Sequence, residues 1–170
     1  MLGDTFVDKL SHWESDIRRQ KDNPFTLVVV GDFKRGKSTF INALLGEDVV
    51  TTDVTTETVT LNRISYGPHG SQAVLADGRS ICLSDEELHR EALEKVMAQA
   101  GETVKRLELK RPIELLRQVT IIDTPGTGDS MQDFSGMVKE SLLQADAVVY
   151  IYNVKYPLSQ TEQLFLKSAV

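Results

Sequence analysis

Residues 27–41 read LVVVGDFKRGKSTFI, and this stretch decides the fold. Its apolar, β-branched beginning is typical of a buried strand, and helix-forming residues follow Lys37. Between them, residues 31–38 match G-x-x-x-x-G-K-[ST], the pattern of a phosphate-binding loop, in the strand–loop–helix order that such a loop requires. The sequence therefore predicts a site for a nucleoside di- or triphosphate directly after the first strand.

The predicted loop supplies each kind of contact that a phosphate chain needs. Its backbone N–H groups surround the phosphates, while Gly31 and Gly36 permit backbone angles and close approaches that a Cβ would prevent. Lys37 reaches the outer phosphates, and the hydroxyl of Ser38 binds Mg²⁺. The predicted nucleotide contacts are Gly31, Asp32, Phe33, Lys34, Arg35, Gly36, Lys37, Ser38 and Thr39.

A second motif, Asp123-Thr124-Pro125-Gly126, directly follows the apolar run QVTII at residues 118–122. We expect Asp123 to hold Mg²⁺, usually through a water molecule. The backbone N–H of Gly126 is a candidate donor to the terminal phosphate of a triphosphate. The residues after Gly126 are therefore a candidate switch, ordered by that phosphate and released on hydrolysis.

A third segment, GEDVVTTDVTTETVT at residues 46–60, is rich in threonine and predicts an exposed loop that enters a strand. A hydrolase site of this kind needs one threonine to complete the Mg²⁺ shell and to orient the attacking water. Thr52, Thr55, Thr56 and Thr58 are the candidates.

Composition limits the classes of function. The chain has 170 residues with 41% hydrophobic and 26% charged side chains, the balance of one soluble domain with a substantial core. Its net charge of −6 disfavours nucleic acid as a partner. No apolar run reaches the roughly 20 residues of a transmembrane helix. The single cysteine, Cys82, suits a reducing cytoplasm, and its alternating apolar neighbours predict a buried thiol.

The remaining patterns predict an α/β fold with a mostly parallel sheet flanked by helices and an antiparallel hairpin extension. Helices are expected over residues 4–21, 37–45, 84–99 and 136–144, with a last helix from Ser159. Strands are expected over 26–30, 58–66, 103–110, 118–122 and 147–152, and a hairpin over 71–83 that turns at Asp77-Gly78. A Ser84–Glu87 capping box marks the start of the third helix.

Four segments together resemble the GTP-binding domain of the dynamin superfamily, closest to bacterial dynamin-like proteins. They are VVVGDFKRGKSTFINALLGEDVV, TTDVTTETVTLNRISYG, VTIIDTPGTGD and ADAVVYIYNVKYPLSQTEQLFL. The resemblance implies a P-loop NTPase fold, with residues 1–24 as an N-terminal helix of a bundle or neck. It also implies that residues 25–170 form part of a G domain that binds GTP and GDP, hydrolyses GTP with Mg²⁺ and dimerises across the nucleotide. Membrane remodelling would use regions absent from this chain.

The resemblance also assigns roles to particular residues. It implies that Thr55 is the switch threonine, and that Ser38, Thr55 and Asp123 hold Mg²⁺. Lys37, Thr55, Gly126 and Lys34 are the predicted catalytic residues. Lys34 stands where some related large GTPases place an arginine, so its cation is a candidate for stabilising transition-state charge.

Two features depart from small GTPases. No glutamine follows Gly126, and Phe33 cannot orient water, so we expect slow turnover until a second molecule completes the site. The guanine-reading motif [NT]-K-x-D is missing, because Asn153-Val154-Lys155-Tyr156 does not match it. We therefore expect a fragment of a longer polypeptide. The resemblance implies that this polypeptide is cytoplasmic and associates peripherally with a membrane. Two alternatives are a small bacterial GTPase associated with the ribosome and translation, and a nucleotide-binding interaction module without turnover.

Overall fold

A computed structural model describes residues 23–32, 34–50, 60–125 and 138–152, and the single residues 154, 163 and 167. Several predictions lie outside these residues. They are the N-terminal helix of residues 4–21, Phe33, the loop with Thr55 and its three rivals, the segment that begins at Gly126, and the helix expected from Ser159. The division into residues 1–24 and 25–170 stays a prediction.

Seven strands form one sheet in the order β4-β3-β5-β2-β6-β1-β7. They are β1 (Phe25–Gly31), β2 (Leu61–Tyr66), β3 (Gly70–Leu75), β4 (Ser80–Leu83), β5 (Val104–Arg111), β6 (Val119–Asp123) and β7 (Ala147–Ile151). The β-branched strand β1 lies between β6 and β7, parallel to both, and Val28, Val29 and Val30 are fully buried. An unbroken apolar strand at this position is expected, because both faces of a central parallel strand are covered.

Two helical layers cover the two faces of β1. Helix α1 (Lys37–Leu45) begins at Gly36 and ends at Gly46, both in the left-handed region, and buries Ile41 and Leu45 in the main core with Val29. Helix α3, described over residues 138–143, packs through Val138 against Val28 and Val30 on the opposite face. Successive residues of a strand point to opposite faces, so one short strand contributes to both cores.

The predicted α/β class and the hairpin are confirmed, but antiparallel pairing extends further than expected. Among the described strands, β3 pairs antiparallel with β4 and β5, and β2 also runs antiparallel to β6. The sheet is therefore mixed, with parallel pairs β1–β6, β1–β7 and β2–β5. The reversal places residue Asn62 of β2 directly opposite Asp123 of β6.

Two local predictions are corrected. The Ser84–Glu87 capping box is present, but it begins a 3₁₀ turn (Asp85–Glu87), and helix α2 (Arg90–Ala100) starts only after His89 adopts an extended conformation. Cys82 is exposed rather than buried. In the edge strand β4, Ile81 and Leu83 face the core, so the residue between them points to the opposite face of the sheet.

In the part of the chain that the structure describes, no helix has both the length and the apolar character needed to span a bilayer.

Candidate functional site

The loop after β1 requires glycine at two positions, and the structural reason differs between them. A Cβ on Gly31 would lie 2.3 Å from the backbone carbonyl oxygen of Ile151 in β7. A Cβ on Gly36 would meet nothing within 4 Å, but its φ of 92° is one that other residues rarely adopt. Gly31 therefore allows β7 to approach, and Gly36 allows the turn into α1.

The outer part of the loop carries two cations with different surroundings. Arg35 forms an ion pair with Asp32 at 3.6 Å. Lys34 is exposed and has a φ of 56°, a left-handed conformation that is uncommon for a residue with a Cβ. The backbone conformation at Lys34 is thus energetically unfavourable, and it places this side chain on the solvent side of the loop.

The first turn of α1 is suited to an anion. Its N-cap, Gly36, makes no side-chain capping bond, and no acidic residue lies in the first turn. Uncapped N–H groups and the positive end of the helix dipole favour negative charge at this point. Ser38 is half-buried in this turn, while Thr39 is exposed.

Lys37 is held beneath the loop. Its Nζ donates to the carbonyl oxygens of Gly31 at 2.9 Å and Asp32 at 3.0 Å, and the residue is only 8% exposed. Burial lowers the pKa of Lys37, and the negative charges of Asp123 and Asp32 act in the opposite direction. An ammonium has three N–H donors, so two bonds to the loop leave the third for a phosphate oxygen.

Asp123 ends β6 on the same side of the sheet as Lys37. It is 3% exposed, and burial raises its pKa to about 6, while Lys37 and a hydrogen bond from Asn62 act to lower it. Next to it, Thr124 donates from both its backbone N–H and its hydroxyl to the carbonyl oxygen of Val29, at 3.2 and 3.0 Å. These bonds fix the end of β6 against β1.

The donor set fits a magnesium ion. The Oδ1 atom of Asp123 is buried and has no hydrogen-bond partner among the described residues. A buried carboxylate oxygen without a partner is costly for the protein alone, and it is a ligand that Mg²⁺ or its bound water prefers. Ser38 lies in the first turn of α1, as the prediction requires.

The structure brings the predicted site residues that it describes together at one end of β1 and β6: the loop residues other than Phe33, with Thr39 and Asp123. Phe33, Thr55 and Gly126 lie outside the described residues. The roles of all these residues as ligands and catalysts stay predictions.

A family model of the dynamin family, Dynamin_N, matches residues 27–170. The chain belongs to the dynamin family. A probable transmembrane GTPase, FZO-like and chloroplastic, from Arabidopsis thaliana is 32% identical over 86% of this chain and 14% of its own length. A bacterial dynamin-like protein from Nostoc punctiforme is 28% identical over 100% of this chain and 27% of its own length.

Solved dynamins also share the fold. A chain from an oligomerised bacterial dynamin pair, described as a mechanism for long-range sensing and tethering of membranes, superposes with a TM-score of 0.69. It is 23% identical and covers 92% of this chain, which spans 27% of its length. These solved chains therefore share the fold of this dynamin-family chain, which spans well under half the length of these relatives.

Asn42, a residue of this dynamin domain with no functional signal in the sequence, anchors the segment after α1. Its Oδ1 accepts from the N–H groups of Val49 and Val50, at 3.1 and 2.9 Å, and its Nδ2 donates to the carbonyl of Val50 at 2.8 Å. The same amide also donates to Asp48 at 3.4 Å. The one feature of the sequence that could have indicated this anchoring role is a polar residue between Ile41 and Leu45, on the buried side of the helix.

Asp123→Asn is expected to stabilise this dynamin domain in the absence of ligand by about 2–3 kcal/mol above pH 7. The folded-state pKa of Asp123, about 6, lies above its usual 3.8, so the folded state holds this proton more tightly than the unfolded chain. The stability from the bound proton is complete below about pH 4 and is lost as the pH rises through about 6. Urea unfolding at pH 4 and pH 8 measures the difference between variant and wild type.

Asp77→Asn is the matched control, because hydrogen bonds from Arg79 lower the pKa of this exposed carboxyl. It should give no gain in stability at pH 8. A gain from Asp123→Asn that is the same at both pH values would contradict the prediction.

Proposed function

We propose that this chain is a Mg²⁺-dependent GTP hydrolase of the dynamin type, which couples nucleotide binding and G-domain dimerisation to membrane remodelling. One observation carries the proposal. Lys37 and Asp123, both more than nine-tenths buried, interact electrostatically beneath an uncapped helix N-terminus. Burying two opposite charges is costly, and a bound Mg²⁺–triphosphate gives each of them a second partner of opposite charge.

Each residue contributes to phosphoryl transfer by position and charge. The N–H groups of the loop and of the first turn of α1 bind the phosphate oxygens, and Lys37 adds one charge-assisted hydrogen bond. Ser38 and Asp123 would hold Mg²⁺, which neutralises charge that develops on the phosphate oxygens. The bonds of Thr124 to Val29 keep Asp123 from moving during this step.

The attacking water and the nucleotide base are the finer parts of the proposal. We assign the orientation of the water to Thr55 and the contact with the terminal phosphate to the N–H of Gly126. GTP, rather than ATP, is proposed from family membership, together with a cytoplasmic location and peripheral membrane association. Two relatives, a probable transmembrane GTPase and an oligomerised bacterial dynamin pair that tethers membranes, support an assembly at membranes.

Phosphate release from GTP, with and without Mg²⁺ and over a wide range of protein concentration, tests the proposal. We expect release only with Mg²⁺, and a specific activity that rises with concentration because a second molecule completes the site. A flat specific activity would contradict dimerisation-coupled hydrolysis. Nucleotide binding without any phosphate release would instead support an interaction module.

Lys34→Ala is expected to lower turnover about 100-fold at saturating GTP, with nucleotide affinity nearly unchanged. Alanine also carries a Cβ, so the left-handed backbone at this position keeps its conformational cost, and the substitution removes only the charged side chain. Single-turnover phosphate release measures the effect, and Lys34→Arg should restore most of the activity. Unchanged turnover and affinity in Lys34→Ala would remove this residue from the catalytic set.

A further inference from the structure

Asn62 is a buried polar residue on the face of β2 that also carries Ile64. It is 4% exposed, and Ile64, which points to the same face of the strand, is fully buried in the main core. Burying an amide without full hydrogen bonding lowers the stability of a protein. A buried amide at this position is therefore expected to have a hydrogen-bond partner, and one lies on the neighbouring strand.

That partner is Asp123. The two residues are directly opposite in the antiparallel β2–β6 pair, so their side chains lie next to each other on one face. The Nδ2 of Asn62 donates to the Oδ2 of Asp123 across 3.4 Å. This bond occupies one carboxylate oxygen from the side of β2 and leaves the other oxygen for a different partner.

The pair has two oxygens without a hydrogen-bond partner among the described residues, Oδ1 of Asn62 and Oδ1 of Asp123. The bond between Asn62 and Asp123 joins the two side chains that carry these acceptors, and the charge of Lys37 acts on Asp123. Two acceptors on hydrogen-bonded side chains match in number the two protons of a single water molecule. A water bound to a divalent cation is a strong donor of this kind.

We propose that Asn62 is a positioning residue for the metal. It orients the Asp123 carboxylate through Oδ2 and, with its own Oδ1, accepts a hydrogen bond from the water through which Asp123 holds the ion. This inference rests on the proposed Mg²⁺–nucleotide site. It adds a residue of β2, which lies outside the phosphate loop and the motif that begins at Asp123, and it makes the register between β2 and β6 part of the metal site.

The test is metal affinity, measured separately from turnover. The full chain is loaded with a non-hydrolysable GTP analogue, and Mn²⁺ is titrated as a paramagnetic substitute for Mg²⁺, with free Mn²⁺ followed by electron paramagnetic resonance. Asn62→Leu is expected to weaken Mn²⁺ binding about 10- to 100-fold, as is usual when an outer-shell partner is removed. Binding of the analogue in EDTA should change less than threefold.

Asn62→Ser is the second variant, because it is smaller and keeps a polar group if leucine prevents folding. It should weaken Mn²⁺ binding to a similar extent, since the hydroxyl is too short to bridge to Asp123. Thr120→Val is the matched control. Thr120 is buried in β6, but it points to the face opposite Asp123, so Mn²⁺ affinity should stay at the wild-type value.

The outcomes separate this inference from the proposed function. If the wild-type chain binds neither the analogue nor Mn²⁺ with it, the proposed function fails. If the wild type binds both and the Asn62 variants bind Mn²⁺ equally well, only the role of Asn62 is overturned. Equal losses of analogue binding with Mn²⁺ and in EDTA would assign Asn62 a purely structural role and would also overturn it.

Discussion

Lys37→Ala is expected to reduce GTP turnover about 1,000-fold, the largest effect of any single substitution in the loop. Two carbonyl oxygens of its own loop already fix the ammonium group, so the Lys37 side chain loses little conformational entropy when it binds the phosphates. Its removal also takes away a charged hydrogen bond to the nucleotide, which should weaken affinity about 10- to 100-fold. Phosphate release at saturating Mg²⁺–GTP and titration with a fluorescent nucleotide measure the two effects.

Two further variants make the Lys37 result specific. Lys95→Ala removes an exposed lysine from α2 and should leave turnover unchanged. Lys37→Arg keeps the charge, but its planar guanidinium does not fit between the carbonyls of Gly31 and Asp32, so it should recover little activity. Turnover of Lys37→Ala within threefold of wild type would contradict the assigned role.

Gly31→Ala is expected to lower the free energy of unfolding by about 3 kcal/mol. The added methyl group would lie 2.3 Å from the carbonyl oxygen of Ile151 and 3.2 Å from its carbonyl carbon. These are backbone atoms of the paired strand β7, so no side-chain rotation relieves the contact and the strands must separate. Urea-induced unfolding, followed by circular dichroism, measures the loss.

Gly46→Ala is the matched control for Gly31→Ala. Gly46 also has a positive φ, 74°, but a Cβ there meets nothing within 4 Å. The expected loss is about 1 kcal/mol, the cost of the left-handed backbone alone. Equal losses in the two variants would show that the contact with β7 has no energetic consequence.

The elements that the sequence predicted well are those whose ends are marked locally. Helix α1 has its predicted bounds because Gly36 forms its N-cap and Gly46 takes the left-handed backbone conformation that ends a helix. The hairpin turn is marked in the same way by Asp77-Gly78. The phosphate loop and Asp123 were found because each motif directly follows an apolar strand.

The features that the sequence did not predict depend on contacts distant along the chain. Alternation shows that β2 is a strand, but it carries no information on direction, so its antiparallel pairing with β6 was missed. The same limit applies to Cys82, because alternation separates two faces without showing which one is covered. Asn62 looked like an ordinary strand residue, since only the fold places it beside Asp123.

The anchoring of residues 48–50 by Asn42 has a consequence for the length of this region. Lys37 and Asn42 are five residues apart on α1, a rise of about 7.5 Å along the axis, and one end meets the phosphate loop while the other fixes Val49 and Val50. Insertion or deletion of a single residue between them would rotate the amide by about 100° away from its partners. The spacing between Lys37 and Asn42 is therefore fixed, and the stretch from Lys37 to Val50 would have to be transferred between related proteins as a unit.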